Sequence, residues 1–152
     1  MSPDVDSGGQ PAAISCDCRA SDGNVMLLAC SGASNVGQLA NQACLELTQE
    51  GFGKMFCLAG IGGKLSGFVQ SARDVPRMVV IDGCQVGCAK AIFQEAGVPL
   101  RGYLVLTDQG LDKNKEFSLP RDQIEQVKQM ARQAASAPAE PAVSAQGGCC
   151  CG

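Results

Sequence analysis

Short runs of apolar residues alternate along the chain with stretches whose apolar positions recur every three or four residues. The runs predict four strands, namely "VMLLAC" (25–30), "GKMFCLAG" (53–60), "RMVVID" (77–82) and "GYLVLTD" (102–108). The recurring positions predict helices near residues 35–50, 64–72, 87–96 and 119–135. This alternation favours successive βα units. The predicted fold is therefore α/β, a three-layer sandwich with a small, mainly parallel sheet of about four strands, Rossmann-like or flavodoxin-like.

Local signals refine three of the predicted helices. Gly97 favours the end of the third helix. Ser118 is a candidate cap of the last helix, with Pro120 in its first turn. The first helix has an apolar face made of Leu39, Ala40, Ala43, Cys44 and Leu47. Cys44 is therefore expected to pack in the core.

Composition divides the chain into three regions. Residues 1–24 are polar and contain Gly and Pro, residues 25–135 carry the strand and helix pattern, and residues 136–152 end in "GGCCCG". A chain of 152 residues can bury a core without disulfide bonds. We expect a flexible N-terminal segment, one α/β metal-binding domain and a flexible Cys-rich C-terminal segment.

Charge and hydropathy argue against two classes of partner. The net charge is −3 and the sequence has one Tyr and no Trp, so no basic surface with stacking aromatics is expected for nucleic acid. The apolar runs are too short to cross a membrane. The first residues lack the basic start and apolar stretch of a secretion signal, which favours the cytoplasm.

The sequence contains ten cysteines and no histidine. In a reducing compartment, thiols are more often metal ligands or reactive groups than structural disulfides. The absence of histidine excludes Ser-His-Asp and Cys-His catalysis and every zinc site that uses histidine. Thiolates, with a carboxylate as a further option, must then hold any metal ion.

Four cysteines lie at, near or shortly after the carboxyl ends of predicted strands. The carboxyl ends of parallel strands share one edge of a sheet, so these thiols are expected to converge there. They are Cys30, Cys57, Cys84 and Cys88. Four thiolates would close a tetrahedral Zn²⁺ site, whereas three would leave a position open. Simple burial remains an alternative for Cys57 and, less strongly, for Cys30.

Two aspartates occupy matching places after the third and fourth strands. Asp82 and Asp108 are each a candidate metal ligand, a proton acceptor for a thiol, or a helix cap. The sequence leaves these three roles open.

"CSGASNVG" (30–37) places a thiol in a small-residue loop before a helix, where backbone N–H groups hold anions and lower a thiol pKa. Phosphatase chemistry of this type needs an arginine six residues after the cysteine, and Val36 stands there. "GIGGKLSG" (60–67) fails the nucleotide-loop patterns at Leu65. A thiol enzyme with Cys30 as nucleophile, and Cys84 or Cys57 as resolving thiol, remains the alternative to a metal site. Its chemistry would be redox or the transfer of sulfur, selenium or arsenic.

The other cysteines of interest lie near the chain ends. They are Cys16, Cys18, Cys149, Cys150 and Cys151. Adjacent thiols suit soft ions such as Zn²⁺, Cu(I) or trivalent arsenic, so these residues are candidates for secondary metal capture. Incidental, oxidation-prone thiols are the alternative.

Three blocks, "CSGASNVGQLANQA" (30–43), "CLAGIGG" (57–63) and "VIDGCQVGCAKAIFQEAGV" (80–98), resemble the DGC-domain family of zinc-binding proteins over about residues 25 to 115. Family cysteines correspond to Cys30, Cys57, Cys84 and Cys88, while Ala33 replaces a further cysteine that many members have. The resemblance implies binding of Zn²⁺ or another soft metal, for carriage, buffering or sensing, with a metal-donor or metal-acceptor protein as a possible partner. It implies no established reaction, and the sequence does not determine the oligomeric state.

Overall fold

A computed structural model describes residues 25–136. The strands are β1 (Val25–Ala29), β2 (Gly53–Met55), β3 (Met78–Asp82) and β4 (Tyr103–Val105). The helices are α1 (Asn35–Gln49), α2 (Leu58–Gly62), α3 (Ser66–Asp74), α4 (Cys88–Ala96) and α5 (Arg121–Ser136), with a 3-10 helix at Thr107–Gln109. The predicted terminal segments, with Cys16, Cys18, Cys149, Cys150 and Cys151, lie outside the described residues.

The four strands form one parallel sheet in the order β2-β1-β3-β4. Leu27 on β1 is aligned with Met55 on one side and with Val79 on the other. This order confirms the predicted α/β fold and corresponds to the flavodoxin-like alternative. The chain reverses its winding between β1 and β3, and in such sheets ligands bind at that point, beyond the carboxyl ends of the strands.

Helices cover both faces of the sheet, which makes three layers. One core packs α1 and α5 against alternate strand residues that include Leu27, Val79 and Ile81. The other packs α2, α3 and α4 against the remaining strand residues, such as Leu28 and Val80. Burial on both faces explains why the central strands are continuous apolar runs. Cys44 is fully buried in the first core, as its place on the helix face predicted.

The second and fourth strands are shorter than the sequence pattern predicts. The apolar run after Met55 turns into α2, whose residues Gly60 and Ile61 are buried. Gly60 has no room for a Cβ atom, which would lie 2.5 Å from the Phe68 ring. The absence of a side chain at Gly60 lets α2 pack closely against Phe68. The apolar run that continues past Met55 would by itself favour a longer strand. The fourth strand ends at Val105 because the chain enters the 3-10 helix.

The ends of two helices can be compared with the predicted stop at Gly97 and the predicted cap at Ser118. Gly97 follows α4 with a φ of 61°, the left-handed conformation that glycine favours, so the predicted stop is confirmed. The helix α5 begins at Arg121, and the Pro120 carbonyl accepts the first helical hydrogen bond from the Ile124 N–H at 3.1 Å. Pro120 therefore holds the cap position, and the prediction of Ser118 as cap is wrong.

A network of ion pairs joins α1 to α5. The Lys128 ammonium is buried and contacts the carboxylates of Glu46, Glu50 and Glu125. Arg121 bridges two of these glutamates: one guanidinium nitrogen lies 2.6 Å from the Glu46 carboxylate, and the other lies 3.1 Å from the Glu125 carboxylate. Lys128 and Arg121, with Arg132 bound to Glu50, balance the charge of three carboxylates that would otherwise repel one another.

The two ends of the described chain meet at Arg77, at the amino-terminal edge of the sheet. The Arg77 carbonyl accepts the Met26 N–H at 3.0 Å, next to the start of β1. Its guanidinium donates to the Ala135 carbonyl at 3.3 Å, next to the end of α5. The described residues therefore begin and end close together, at this edge of the sheet. Within residues 25–136, no helix has the length and apolar character that crossing a membrane requires.

Candidate thiol and metal site

Cys30 links the carboxyl ends of the two central strands. It follows β1, and its N–H donates to the Ile81 carbonyl of β3 at 3.0 Å. Its Sγ accepts a hydrogen bond from the Gly83 N–H at 3.3 Å. The first cysteine thus lies against the Asp-Gly-Cys segment at the point where the sheet reverses its winding.

Two glycines, Gly37 and Gly83, allow this approach. A Cβ atom on Gly37 would lie 2.5 Å from the Gly32 carbonyl oxygen, and one on Gly83 would lie 2.7 Å from the Gly37 nitrogen. Real Cβ atoms do not come this close to backbone, so Gly37 and Gly83 must stay without side chains. The Cys30 loop, the start of α1 and the segment after β3 are therefore in direct backbone contact.

Burial has the largest effect on the pKa of the Cys30 thiol. It raises the pKa of the thiol, while the backbone N–H groups of Gly83 and Gly32 act in the opposite direction and the nearby Asp82 and Cys88 raise it further. The net direction is upward. The expectation that this loop lowers the pKa of the thiol is therefore wrong, because desolvation outweighs the N–H groups.

Asp82 is the last residue of β3, and its side chain caps α4. The carboxylate is buried and accepts hydrogen bonds from the N–H groups of Ala89 and Lys90 at 2.9 and 3.1 Å. It also accepts the Tyr103 hydroxyl at 2.9 Å, and burial together with this carboxylate raises the pKa of the phenol. The sequence left open whether Asp82 is a metal ligand, a proton acceptor or a helix cap. Its contacts are those of a helix cap. The cap fixes Cys88 in the first turn of α4.

Asp108 has a different environment, on the exposed 3-10 helix. Its carboxylate accepts a hydrogen bond from the Gln85 side chain at 2.7 Å. Gln85 follows Cys84, so Asp108 holds the loop between Cys84 and Cys88 towards the end of β4. The two aspartates thus support this loop from its two sides.

Lys113 contacts Cys84. The lysine Nζ lies 3.3 Å from Sγ. The loop that carries it is attached to the start of α1 by Asn35, whose side chain donates to the Asp112 carbonyl at 2.8 Å and accepts the Asn114 N–H at 2.6 Å. This pair was missed at the level of the sequence, because a strand and a helix separate its members. The only available signal was "DKNK" (112–115), a basic stretch after the fourth strand.

Cys57 and Cys88 are exposed, each at the start of a helix. Cys57 occupies the cap position of α2 and makes no side-chain capping bond there, and Cys88 is the first residue of α4. All four cysteines follow carboxyl ends of strands, as predicted. Between residues 25 and 136, however, the one group of three or more potential ligand atoms that lie within 4.8 Å of one another is Glu46, Glu50 and Glu125. The structure thus places the cysteines along one edge without bringing three sulfurs into mutual contact.

Such a small parallel α/β domain, with cysteines after three successive strands, defines the class of this protein. The family model of the DGC domain matches residues 26–131. The chain belongs to the DGC domain family. It is similar to the anaerobic and virulence modulator AnvM of Pseudomonas aeruginosa, with 38% identity over 88 residues, which cover 58% of this chain and 67% of that protein. No solved structure matches the chain.

The donor set suits a soft metal ion. Four cysteines at the edge are not in disulfide bonds, and histidine is absent from the whole sequence. Thiolates prefer Zn²⁺, Cu(I) and similar ions over hard cations. Cys30, Cys57, Cys84 and Cys88 are the residues that would hold such an ion, and its charge would stabilise their deprotonated forms.

Proposed function

We propose that this domain binds Zn²⁺, or another soft metal ion, through Cys30, Cys57, Cys84 and Cys88. The hydrogen bond from the Gly83 N–H to Cys30 Sγ carries the proposal. It holds the first thiol against the segment that contains Cys84 and leads to Cys88. Backbone N–H groups that point at a sulfur also stabilise thiolate charge, which a metal ligand must carry.

Metal binding requires a local rearrangement of side chains. Sulfurs that share a tetrahedral Zn²⁺ at about 2.3 Å lie about 3.8 Å apart. Cys57 and Cys88 are exposed, so no close packing opposes a change of rotamer at either residue. Lys113 must leave Cys84, because an ammonium competes with a metal ion for the same thiolate. Because hydrogen bonds hold Cys30 in place, the side chains of the exposed cysteines are the ones that must move when a metal ion binds.

The proposed role is carriage, buffering or sensing of metal in a cytoplasmic environment that keeps thiols reduced. A metal-donor or metal-acceptor protein is the proposed partner. AnvM is named an anaerobic and virulence modulator, and a modulating role is compatible with sensing. The cysteines outside the described residues, Cys16, Cys18, Cys149, Cys150 and Cys151, are proposed as secondary capture sites.

Metal counting on the full chain tests this proposal. All five terminal cysteines are first replaced by serine, so that only the domain can bind zinc. We expect about one Zn²⁺ per chain, and less than about 0.3 after Cys84→Ala. Cys44→Ala is the matched control, because it removes a thiol that is fully buried in the core. Equal zinc content in the Cys84 and Cys44 variants would contradict the proposal.

The thiol-enzyme alternative needs a thiolate near neutral pH. Burial raises the pKa of Cys30, which makes it a weak candidate for nucleophile. Cys84 has the Lys113 ammonium 3.3 Å from its sulfur, which gives the alternative a second thiol to test.

A further inference from the structure

Tyr103 brings a hydroxyl group next to the loop that carries two of the proposed ligands. It is the first residue of β4, and the register of the sheet aligns it with Val80 on β3. Its ring packs against the second core, and its hydroxyl donates to Oδ2 of Asp82 at 2.9 Å. The strand therefore holds this donor at a fixed place beside the carboxyl end of β3.

Three donors share the Asp82 carboxylate. Oδ1 accepts the Ala89 N–H at 2.9 Å, whereas Oδ2 accepts both the Lys90 N–H at 3.1 Å and the Tyr103 hydroxyl. Ala89 and Lys90 directly follow Cys88. Asp82 is 1% exposed, so the loss of a donor leaves a buried oxygen with an unmet hydrogen bond. Among residues 25–136 the hydroxyl is the side-chain donor to this carboxylate, and it orients Oδ2 for the first turn of α4.

The turn between Cys84 and Cys88 closes beside the same hydroxyl. Gly87 has a φ of 67°, the left-handed conformation that glycine favours, and its N–H donates to the Cys84 carbonyl at 3.1 Å. A Cβ atom on Gly87 would lie 3.6 Å from the Tyr103 hydroxyl oxygen. The hydroxyl therefore lies next to the turn and is bonded to Asp82, which anchors the end of that turn.

We propose that Tyr103 is a positioning residue of the proposed metal site, and that it acts through Asp82 to hold the turn that carries Cys84 and Cys88. This inference rests on the proposed function, because it assigns a role in the binding of the same ion. The thiols that follow β1 and β2 lie outside this set of contacts. Removal of groups that orient a metal ligand without touching the ion typically costs about 10–100-fold in metal affinity.

Tyr103→Phe removes the hydroxyl and leaves the ring. The Lys90 ammonium, 5.7 Å from the ring centroid, keeps its cation–π contact with a phenyl ring. Oδ2 of Asp82 then retains one donor, the Lys90 N–H. We expect faster hydrogen exchange at the amides of Ala89 and Lys90 in the metal-free protein. Unchanged exchange at these two amides would refute the action through Asp82.

Titration with Co²⁺ tests the effect on metal binding. Co²⁺ stands in for Zn²⁺, because bound thiolates give a sulfur-to-cobalt charge-transfer absorption that grows with their number. The parent is the full chain with serine at the five terminal cysteines, as in the zinc counting. We expect Tyr103→Phe to bind Co²⁺ about tenfold more weakly. It should also lose about a quarter of the absorption per bound ion, the share of one thiolate in four.

A double variant identifies the thiolate that is lost. Cys88 is the first residue of the helix that Asp82 caps, so we expect its bond to the ion to depend on the hydroxyl. Cys88→Ser alone should then give the same absorption as Tyr103→Phe. The two substitutions together should cause no further loss. Additive losses would overturn the proposal.

Val98→Ala is the matched control for a general loss of stability. Val98 is buried in the same core but follows the far end of α4. This variant should unfold at a lower urea concentration and keep the cobalt affinity and absorption of the parent. The proposal is overturned if Tyr103→Phe matches the parent, or if both variants weaken cobalt binding equally. If the parent itself binds no Co²⁺ or Zn²⁺, the proposed function fails, so the two failures are distinguishable.

Discussion

Gly83 and Gly37 are in backbone contact: a Cβ atom on Gly83 would lie 2.7 Å from the Gly37 nitrogen. The contact joins the end of β3 to the first turn of α1. It also sets the direction of the Gly83 N–H, which donates to Cys30 Sγ. The glycine of the Asp-Gly-Cys motif is therefore explained by packing and by its hydrogen bond to the first thiol.

Gly83→Ala should displace the Cys30 loop. We expect a loss of about 1–3 kcal/mol in the free energy of unfolding, because the methyl group meets backbone atoms that cannot move aside. Urea denaturation measures this loss, and zinc content should fall with it. Gly67→Ala in α3 is the matched control, since a Cβ atom there meets nothing within 4 Å. Equal stability of the two variants would disprove the packing role.

Asp82→Asn should weaken the start of α4. Both carboxylate oxygens of Asp82 accept hydrogen bonds, from Ala89 on one side and from Lys90 and Tyr103 on the other. An amide presents an NH₂ group to one of these donors, so we expect a loss of about 1–3 kcal/mol. Faster hydrogen exchange at the amides of Ala89 and Lys90 would localise the effect. Asp108→Asn, on the exposed 3-10 helix, should change stability by less than about 0.5 kcal/mol.

Acid should weaken the contact between α1 and α5 through Glu46. Hydrogen bonds from Gln42, Arg121 and Lys128 lower the pKa of this carboxyl group from 4.5 to about 2, against the opposing effect of burial. A lowered pKa in the folded state contributes stability above the ordinary pKa, and this stability is lost as the pH falls from 4.5 towards 2. Glu46→Gln should flatten the stability profile over that range. Denaturation series at several pH values would show it, and an unchanged slope would count against the network.

Thiol labelling should follow exposure and the raised pKa values. We expect iodoacetamide to modify the exposed Cys57 and Cys88 first, and Cys30 later and mainly at high pH. Burial raises the pKa of Cys44 to about 12, so that thiol should react only on unfolding. Mass spectrometry of the labelled peptides gives the order. Rapid labelling of Cys30 well below neutral pH would instead favour the thiol enzyme with that residue as nucleophile.

The sequence was sufficient for the features that depend on periodicity. Alternating strands and helices predicted the parallel sheet, and strand ends predicted the common edge for Cys30, Cys57, Cys84 and Cys88. The short β2 was missed because an apolar run fits a strand or a buried helix equally well. The backbone contact of Gly37 with Gly83 and the Lys113–Cys84 pair depend on residues far apart in the chain. Such contacts leave no local pattern, so they become visible only in the folded structure.

Arg77 also holds the two ends of the described residues, through Met26 and Ala135, at the edge of the sheet opposite the thiols. Cys18 precedes Val25 by seven residues, and Cys149 follows Ser136 by thirteen. Fully extended, these lengths reach at most about 25 Å and about 47 Å. The opposite edge of the sheet is about 17 Å away through a five-residue strand, and further around the helices. Both contour lengths exceed the length of that strand, so chain length alone excludes neither terminal cluster from the thiol edge of its own domain.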